Sequence, residues 1–330
     1  MKFPKAILAL PLLFGLCACK MVVMDPAGDV ALQQRDLILL ATGLMLLIIV
    51  PVIVLTLLFA WRYRASNTGA RYAPDWSHSA PLELVVWAAP LAIILILGSV
   101  TWVSSHTLDP YRPLDRIAAG RPVPAGVTSL RVQVVALDWK WLFIYPDLGV
   151  ATVNELAAPV DTPIAFDITS SSVMNSFDAP ALAGQIYAMP GMQTRLHAVV
   201  NRPGVSEGFS ANYSGEGFSG MRFRVEGLRR DDFDRWVARL RAGGAQLTRA
   251  EYLRLARPSA EVPIRHYAVV DHGVFSAVVN QCVEPGQACM GDMSAPPYGH
   301  VAGRLEPSMS ASASGMRPGS ANGRSLRKGQ

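Results

Sequence analysis

The chain has 330 residues, of which 51% are apolar, and 30 Lys and Arg against 25 Asp and Glu give it a formal net charge of +5. That length suits a membrane segment plus one domain with a real core. The arginines are scattered and not interleaved with stacking aromatics, so the basic balance does not describe a nucleic-acid-binding groove. Four cysteines fall in two distant pairs, Cys17 with Cys19 and Cys282 with Cys289. Neither pair has the spacing of a zinc knuckle. The second pair has the option of a small disulfide loop in an oxidising compartment, and spacing alone leaves that open.

Residues 1–18 read as an export signal. Lys2 and Lys5 precede an apolar core from Ala6 to Leu16, too short to cross a bilayer of ~30 Å. The run Leu16-Cys17-Ala18-Cys19 resembles a bacterial lipoprotein cleavage box, in which Cys19 rather than Cys17 is the lipid acceptor. Residues 19–36 are then a polar outer segment. Leu37 to Phe59 carries no charge and predicts a membrane helix over about 37–61. Pro51 inside it would break a soluble helix but is tolerated in a bundle. Trp61, Arg62, Tyr63 and Arg64 form an interfacial anchor. A second membrane helix is predicted over about 84–103, with Pro90 in its first half. Arg62, Arg64 and Arg71 against Asp75 make the intervening loop cytoplasmic. Both ends of the mature chain then lie outside, as an exported N-terminus requires.

From residue 104 the periodicity changes. Short β-type runs at 130–136, 141–145, 164–169, 194–200 and 221–226, separated by turn residues, predict a β sandwich or barrel over 104–227. Residues 230–241 (RDDFDRWVARLR) read as an amphipathic helix with acids in its first turn. Residues 248–255 read as a second short helix, and 266–279 as an aromatic-tinged segment of undefined type, all within a C-terminal region spanning 228–302. Residues 303–330, rich in Ser, Gly and Arg without periodicity, are expected to be a disordered tail. The expected fold class is therefore an α+β membrane protein. It has a two-helix hairpin, a periplasmic β head and a small helical extension.

Particular stretches resemble subunit II of the haem–copper respiratory oxidases. His78-Ser-Ala-Pro-Leu-Glu-Leu-Val-Val-Trp-Ala-Ala-Pro90 resembles that family's entry to its second helix. Asp138-Trp-Lys-Trp-Leu-Phe-Ile-Tyr-Pro146 resembles its aromatic strand. Val173-Met-Asn-Ser-Phe177, Gln185 to Arg195, and Ala211 to Phe223 resemble successive parts of its cupredoxin-like head. In the cytochrome c oxidases that head holds a binuclear copper centre, with one ligand in a His-Ser-Phe stretch and the others in a Cys-x3-Cys-x3-His-x2-Met loop. Here the first position is Asn175, and aligning Tyr213-Ser214 with the family's Cys-Ser puts Tyr213, Gly217, Met221 and Arg224 at the others. The 211–223 loop contains no Cys and no His in any register, so it lacks the soft and imidazole donors of a transition-metal site.

That departure resembles the quinol-oxidising branch, subunit II of cytochrome o ubiquinol oxidase. The resemblance implies a non-catalytic chain without cofactor. Haems, catalytic copper and the ubiquinol site would belong to subunit I and its complex in the bacterial inner membrane. From Ser104 onward 20 Asp and Glu stand against 23 Lys and Arg, a poor balance for docking a basic cytochrome c. The alternative is a copper-bearing electron-entry subunit of a cytochrome c oxidase.

The same resemblance makes Glu83, in the Pro-Leu-Glu stretch, the entrance of a proton path. Its bland alternative is a first-turn glutamate favoured by the helix dipole. Trp139 and Trp141 are expected to pack, or to face subunit I. Met189, Met192 and Met221 read as loop packing. His197 reads as structural or solvent-facing, and His106 as lacking a visible partner.

Overall fold

A computed structural model describes residues 21–71 and 73–290. Cys19, the export signal and the predicted tail lie outside these residues. Helix α1 runs over Asp29–Arg62 and helix α2 over Ala80–Thr107. Both are long and apolar enough to cross a membrane, and both continue through their internal prolines.

Helix α1 begins ahead of the apolar run at Leu37 because its polar first turns are held against the head. The Ala27 and Gly28 N–H groups donate to Ala181 O at 2.7 and 3.1 Å, and Ala31 N–H donates to Leu182 O at 3.3 Å. The buried Asp29 carboxylate accepts from Arg116 Nε at 2.8 Å and from Gln33 Nε2 at 2.8 Å. The approach is so close at Gly28 that a Cβ would lie 2.4 Å from Val199 O. The hairpin and the head are thus joined through backbone contacts that admit no side chain at that residue.

The head is two sheets packed face to face. One has the strand order β10-β7-β3-β4-β5-β14 and the other β6-β12-β11-β8-β9. In sequence these are β3 (Leu130–Leu137), β4 (Lys140–Tyr145), β5 (Val150–Val153), β6 (Glu155–Pro159), β7 (Pro163–Ser170), β8 (Asn175–Ala179), β9 (Gly184–Ala188), β10 (Thr194–Val199), β11 (Gly204–Ser210), β12 (Arg222–Leu228) and β14 (Arg265–Tyr267). Most pairs are antiparallel, but β3–β7 and β6–β12 are parallel. Two short ribbons complete the strands, β1 (Arg116–Ala118) with β2 (Arg121–Pro122) and β13 (Gln246–Leu247) with β15 (Val269–Val270).

The five predicted strands are present as β3, β4, β7, β10 and β12. Between the sheets lie Trp141, Phe143, Phe166, Phe177 and Phe223, all buried. Helix α3 (Arg230–Ala242) adds Phe233, Trp236, Val237 and Leu240 to this core. Its apolar residues recur at the helical period, so its buried stripe coincides with the predicted amphipathic face.

The six-stranded sheet is covered on its outer face as well. Val135, Leu137, Leu142, Ile144 and Val153 point into a second core with Tyr252, Leu255, Phe275 and Val278. These come from helix α4 (Arg249–Ala256) and helix α5 (Val274–Val279). Thr248 caps α4, its hydroxyl accepting from Glu251 N–H. Cys282 and Cys289 are joined by a disulfide with a Cα–Cα distance of 4.8 Å, which closes the choice the spacing left open. The segment at 266–279 resolves into β14, β15 and α5.

Candidate functional site

The turn between β3 and β4 projects Trp139 over the 211–223 loop. Its indole Nε1 donates to Ser214 O at 2.9 Å, and the ring lies flat against the chain at Gly215 and Gly217. A Cβ at Gly217 would fall 2.6 Å from the indole. Trp139 is therefore the packing residue the sequence suggested, and Trp141, one strand position beyond Lys140, is wholly in the core. Replacing Gly217 by alanine is expected to displace the indole and cost roughly 1–3 kcal/mol. Gly220→Ala, whose nearest neighbour would be 3.7 Å away, is expected to stay within about 0.5 kcal/mol. Paired urea titrations of the full chain in detergent check the contrast.

None of the positions aligned with copper ligands offers a thiolate or an imidazole. Asn175 is buried at the start of β8, where its Nδ2 donates to Val173 O at 3.1 Å and its Oδ1 accepts from Ser210 Oγ at 3.1 Å. Both ends of the amide are thereby used. Tyr213 is 74% exposed, its ring edge-on to Phe218 at 5.6 Å. Gly217 has no side chain and no room for one. Met221 is buried in the inter-sheet core, and Arg224 pairs with Glu226 at 2.8 Å.

Among the described residues Ser176 Oγ, Ser214 Oγ and Trp141 Nε1 are buried without a protein partner, but neutral hydroxyl and indole groups are not copper donors. A binuclear thiolate-bridged copper does not fit this donor set. Among the described residues there is no cluster of three or more His, Cys, Asp and Glu suited to a metal.

Glu83 stands in the first turn of α2. His78 Nδ1 lies 2.5 Å from Glu83 Oε1, and both side chains are exposed. The glutamate thus has a specific neighbour from the preceding loop in addition to the helix dipole. His106, expected to stand alone, has partners within its own helix. Its Nδ1 is 2.7 Å from Trp102 O and its ring 4.6 Å from the Trp102 indole. His197 is structural, with Nδ1 3.0 Å from Pro110 O, so it ties the chain leaving α2 to β10.

Sequence reasoning missed two polar clamps that fasten the C-terminal extension to the head. Lys140 is 1% exposed, and its Nζ donates to Asp138 O at 2.6 Å, Arg257 O at 2.9 Å and Ser259 Oγ at 2.8 Å. Burial lowers its pKa to about 8, against an opposing contribution from Asp138. Glu155, also buried, meets His266 Nε2 at 2.7 Å and Trp236 Nε1 at 3.3 Å. A lysine inside an otherwise apolar strand run was a visible signal for the first clamp. Nothing local marks the second, because His266 and Trp236 lie 111 and 81 residues from Glu155.

A membrane hairpin bearing a cupredoxin-like head and a covering aromatic extension defines a subunit II of the haem–copper oxidase class. The family described as "Cytochrome C oxidase subunit II, periplasmic domain" matches residues 146–228, and "COX Aromatic Rich Motif" matches 241–286. The chain is 48% identical over 85% of its length to the cytochrome bo(3) ubiquinol oxidase subunit 2 of Pseudomonas putida, covering 87% of that protein. It is 50% identical over 85% of its length to the corresponding subunit of Pseudomonas aeruginosa, covering 82% of it. To the ubiquinol oxidase subunit 2 of Acetobacter aceti it is 49% identical over 80% of its length, covering 83%. The chain belongs to the ubiquinol oxidase subunit 2 family.

Proposed function

We propose that this chain is the non-catalytic subunit II of a proton-pumping ubiquinol:oxygen oxidoreductase in a bacterial inner membrane. The observation that carries the reading is the 211–223 loop. It has no thiolate or imidazole to hold copper, and Trp139 lies against Gly217 where a ligand side chain would have to start. A water-soluble electron donor needs a relay at the outer surface. Ubiquinol dissolves in the bilayer and delivers its electrons within the membrane, so a surface copper has no task. Subunit I would hold the haems, the catalytic copper and the quinol site, and this head would brace the outer face of the assembly. Cys19 would carry the lipid anchor.

The test is oxygen consumption by the purified complex. Ubiquinol is expected to support turnover, and reduced cytochrome c is not. Turnover with cytochrome c, together with two copper atoms per complex beyond the catalytic copper of subunit I, would return the copper-relay alternative.

Glu83 completes the proposal as the proton entrance on the cytoplasmic side, with His78 as its immediate hydrogen-bond partner. Glu83→Gln keeps the shape but cannot carry the proton. It is expected to slow ubiquinol oxidation about tenfold, equivalent to ~1.4 kcal/mol on the barrier, with KM for ubiquinol unchanged and Glu83→Asp partly restoring the rate. Equal turnover in the glutamine variant and the parent complex would reduce Glu83 to a helix-start residue.

A further inference from the structure

We propose that the cytoplasmic end of the hairpin binds the head group of an anionic phospholipid. This rests on the orientation above, with the loop between α1 and α2 facing the cytoplasm. Arg62, Arg64 and Arg71 lie on or beside that loop, and among the described residues none of them forms an ion pair. Of the nearby carboxylates, Glu83 is taken by His78, which leaves Asp75. Arg64 is steadied by Ser66 Oγ at 2.9 Å and lies over the Trp61 ring at 5.5 Å. The positive charge is thus held at the interface and not neutralised by any of the described residues.

Beside it, Phe59, Tyr63, Ala70, Arg71, Ala73 and Trp76 line an open pocket of about 820 Å³. The Phe59 and Tyr63 rings are 6.3 Å apart on successive helical turns, and they and Trp76 are exposed. An aromatic wall descending toward the bilayer beneath a guanidinium matches a lipid, with the phosphate at Arg71 and the upper acyl chain along the rings.

The C-terminal dipole of α1 opposes an anion here. Asn67 Nδ2 covers Arg62 O at 2.5 Å, so that terminal carbonyl is occupied, and the three guanidinium charges outweigh the dipole's partial charge. A choline head group would bring its own cation against these arginines. The charge balance therefore selects a head group of net negative charge. Free phosphate shares the guanidinium chemistry but gives the aromatic wall no role.

The test uses the whole oxidase complex, exchanged into vesicles of phosphatidylcholine with or without phosphatidylglycerol, then extracted and weighed by native mass spectrometry. The parent is expected to keep one phosphatidylglycerol that the Arg64→Gln/Arg71→Gln double variant loses at least tenfold in occupancy. Arg71→Lys is expected to retain it, and Trp76→Ala to weaken it with the charge intact. Haem content checks that each variant has assembled. Equal retention by parent and double variant, equal retention of phosphatidylcholine, or displacement by inorganic phosphate alone would each overturn the assignment.

Discussion

Truncating Phe177 to alanine is expected to remove about 3–5 kcal/mol from the stability of the head. Phe177 is fully buried and sits between the two sheets. Its ring stacks on Phe223 at 5.1 Å and 14°, meets Trp141 edge-on at 5.4 Å, and lies 5.5 Å from Phe166 and 6.4 Å from Phe143. Trp141, Phe143 and Phe166 belong to the six-stranded sheet, whereas Phe177 and Phe223 belong to the five-stranded one. The truncation therefore opens a cavity at the contact that holds the sheets together, and neighbours rigid in two dimensions cannot collapse into it. Tyr213→Ala is the useful contrast. It removes an aromatic of similar size from a neighbouring loop, but one exposed to solvent, and is expected to cost less than about 0.5 kcal/mol. Thermal melts of the full chain in detergent, followed by circular dichroism, should separate the two by on the order of 10 °C. Similar melting of the two variants would mean that the inter-sheet core is not the seat of the head's stability.

What the sequence discloses of this architecture follows the physics of each element. The membrane helices are legible because ~20 uncharged apolar residues have few other uses. β3 and β7 are legible because they are long and carry β-branched Val, Ile and Thr. β8 (NSFDA) and β11 (GVSEGFS) are not. Their polar residues are paired only once the sheet exists, as Asn175 with Ser210 shows. β4 is buried on both faces, so it reads as a continuous apolar run from which no inner side can be chosen. The early start of α1 is invisible locally, since its polar first turns are stabilised by residues more than 80 positions away. The candidate copper site was legible in the negative sense, because a missing cysteine is visible in any register. That a tryptophan packs against the loop in its place required the fold.

Lys140 offers the clearest pH signature. Its ammonium spends all three N–H bonds on Asp138 O, Arg257 O and Ser259 Oγ, so it pins residues 257–259 of the extension to the β3–β4 turn. Lys140→Met keeps the stem but leaves those acceptors facing a methyl group, and is expected to cost about 3 kcal/mol and loosen the extension. Burial sets the folded pKa at about 8, below the 10.5 of a free lysine. Between those values the unfolded chain binds more protons than the folded one, so stability rises with pH across that window. The three acceptors favour the ammonium and so temper the gain, which is expected to be on the order of 1–3 kcal/mol. Beyond about pH 10 the buried Tyr145 and Tyr252 act in the opposite sense. Burial raises both phenol pKa values, so the unfolded chain ionises first and stability falls. Subtracting Lys140→Met from the parent at each pH cancels the tyrosines. The difference in urea-unfolding free energy should then climb from pH 8 to pH 10 in favour of the parent, apart from a constant offset. A flat difference would show that Lys140 keeps its ordinary pKa in the fold. Its role would then be the fixed three-bond clamp alone, with no titration coupled to the docking of the extension.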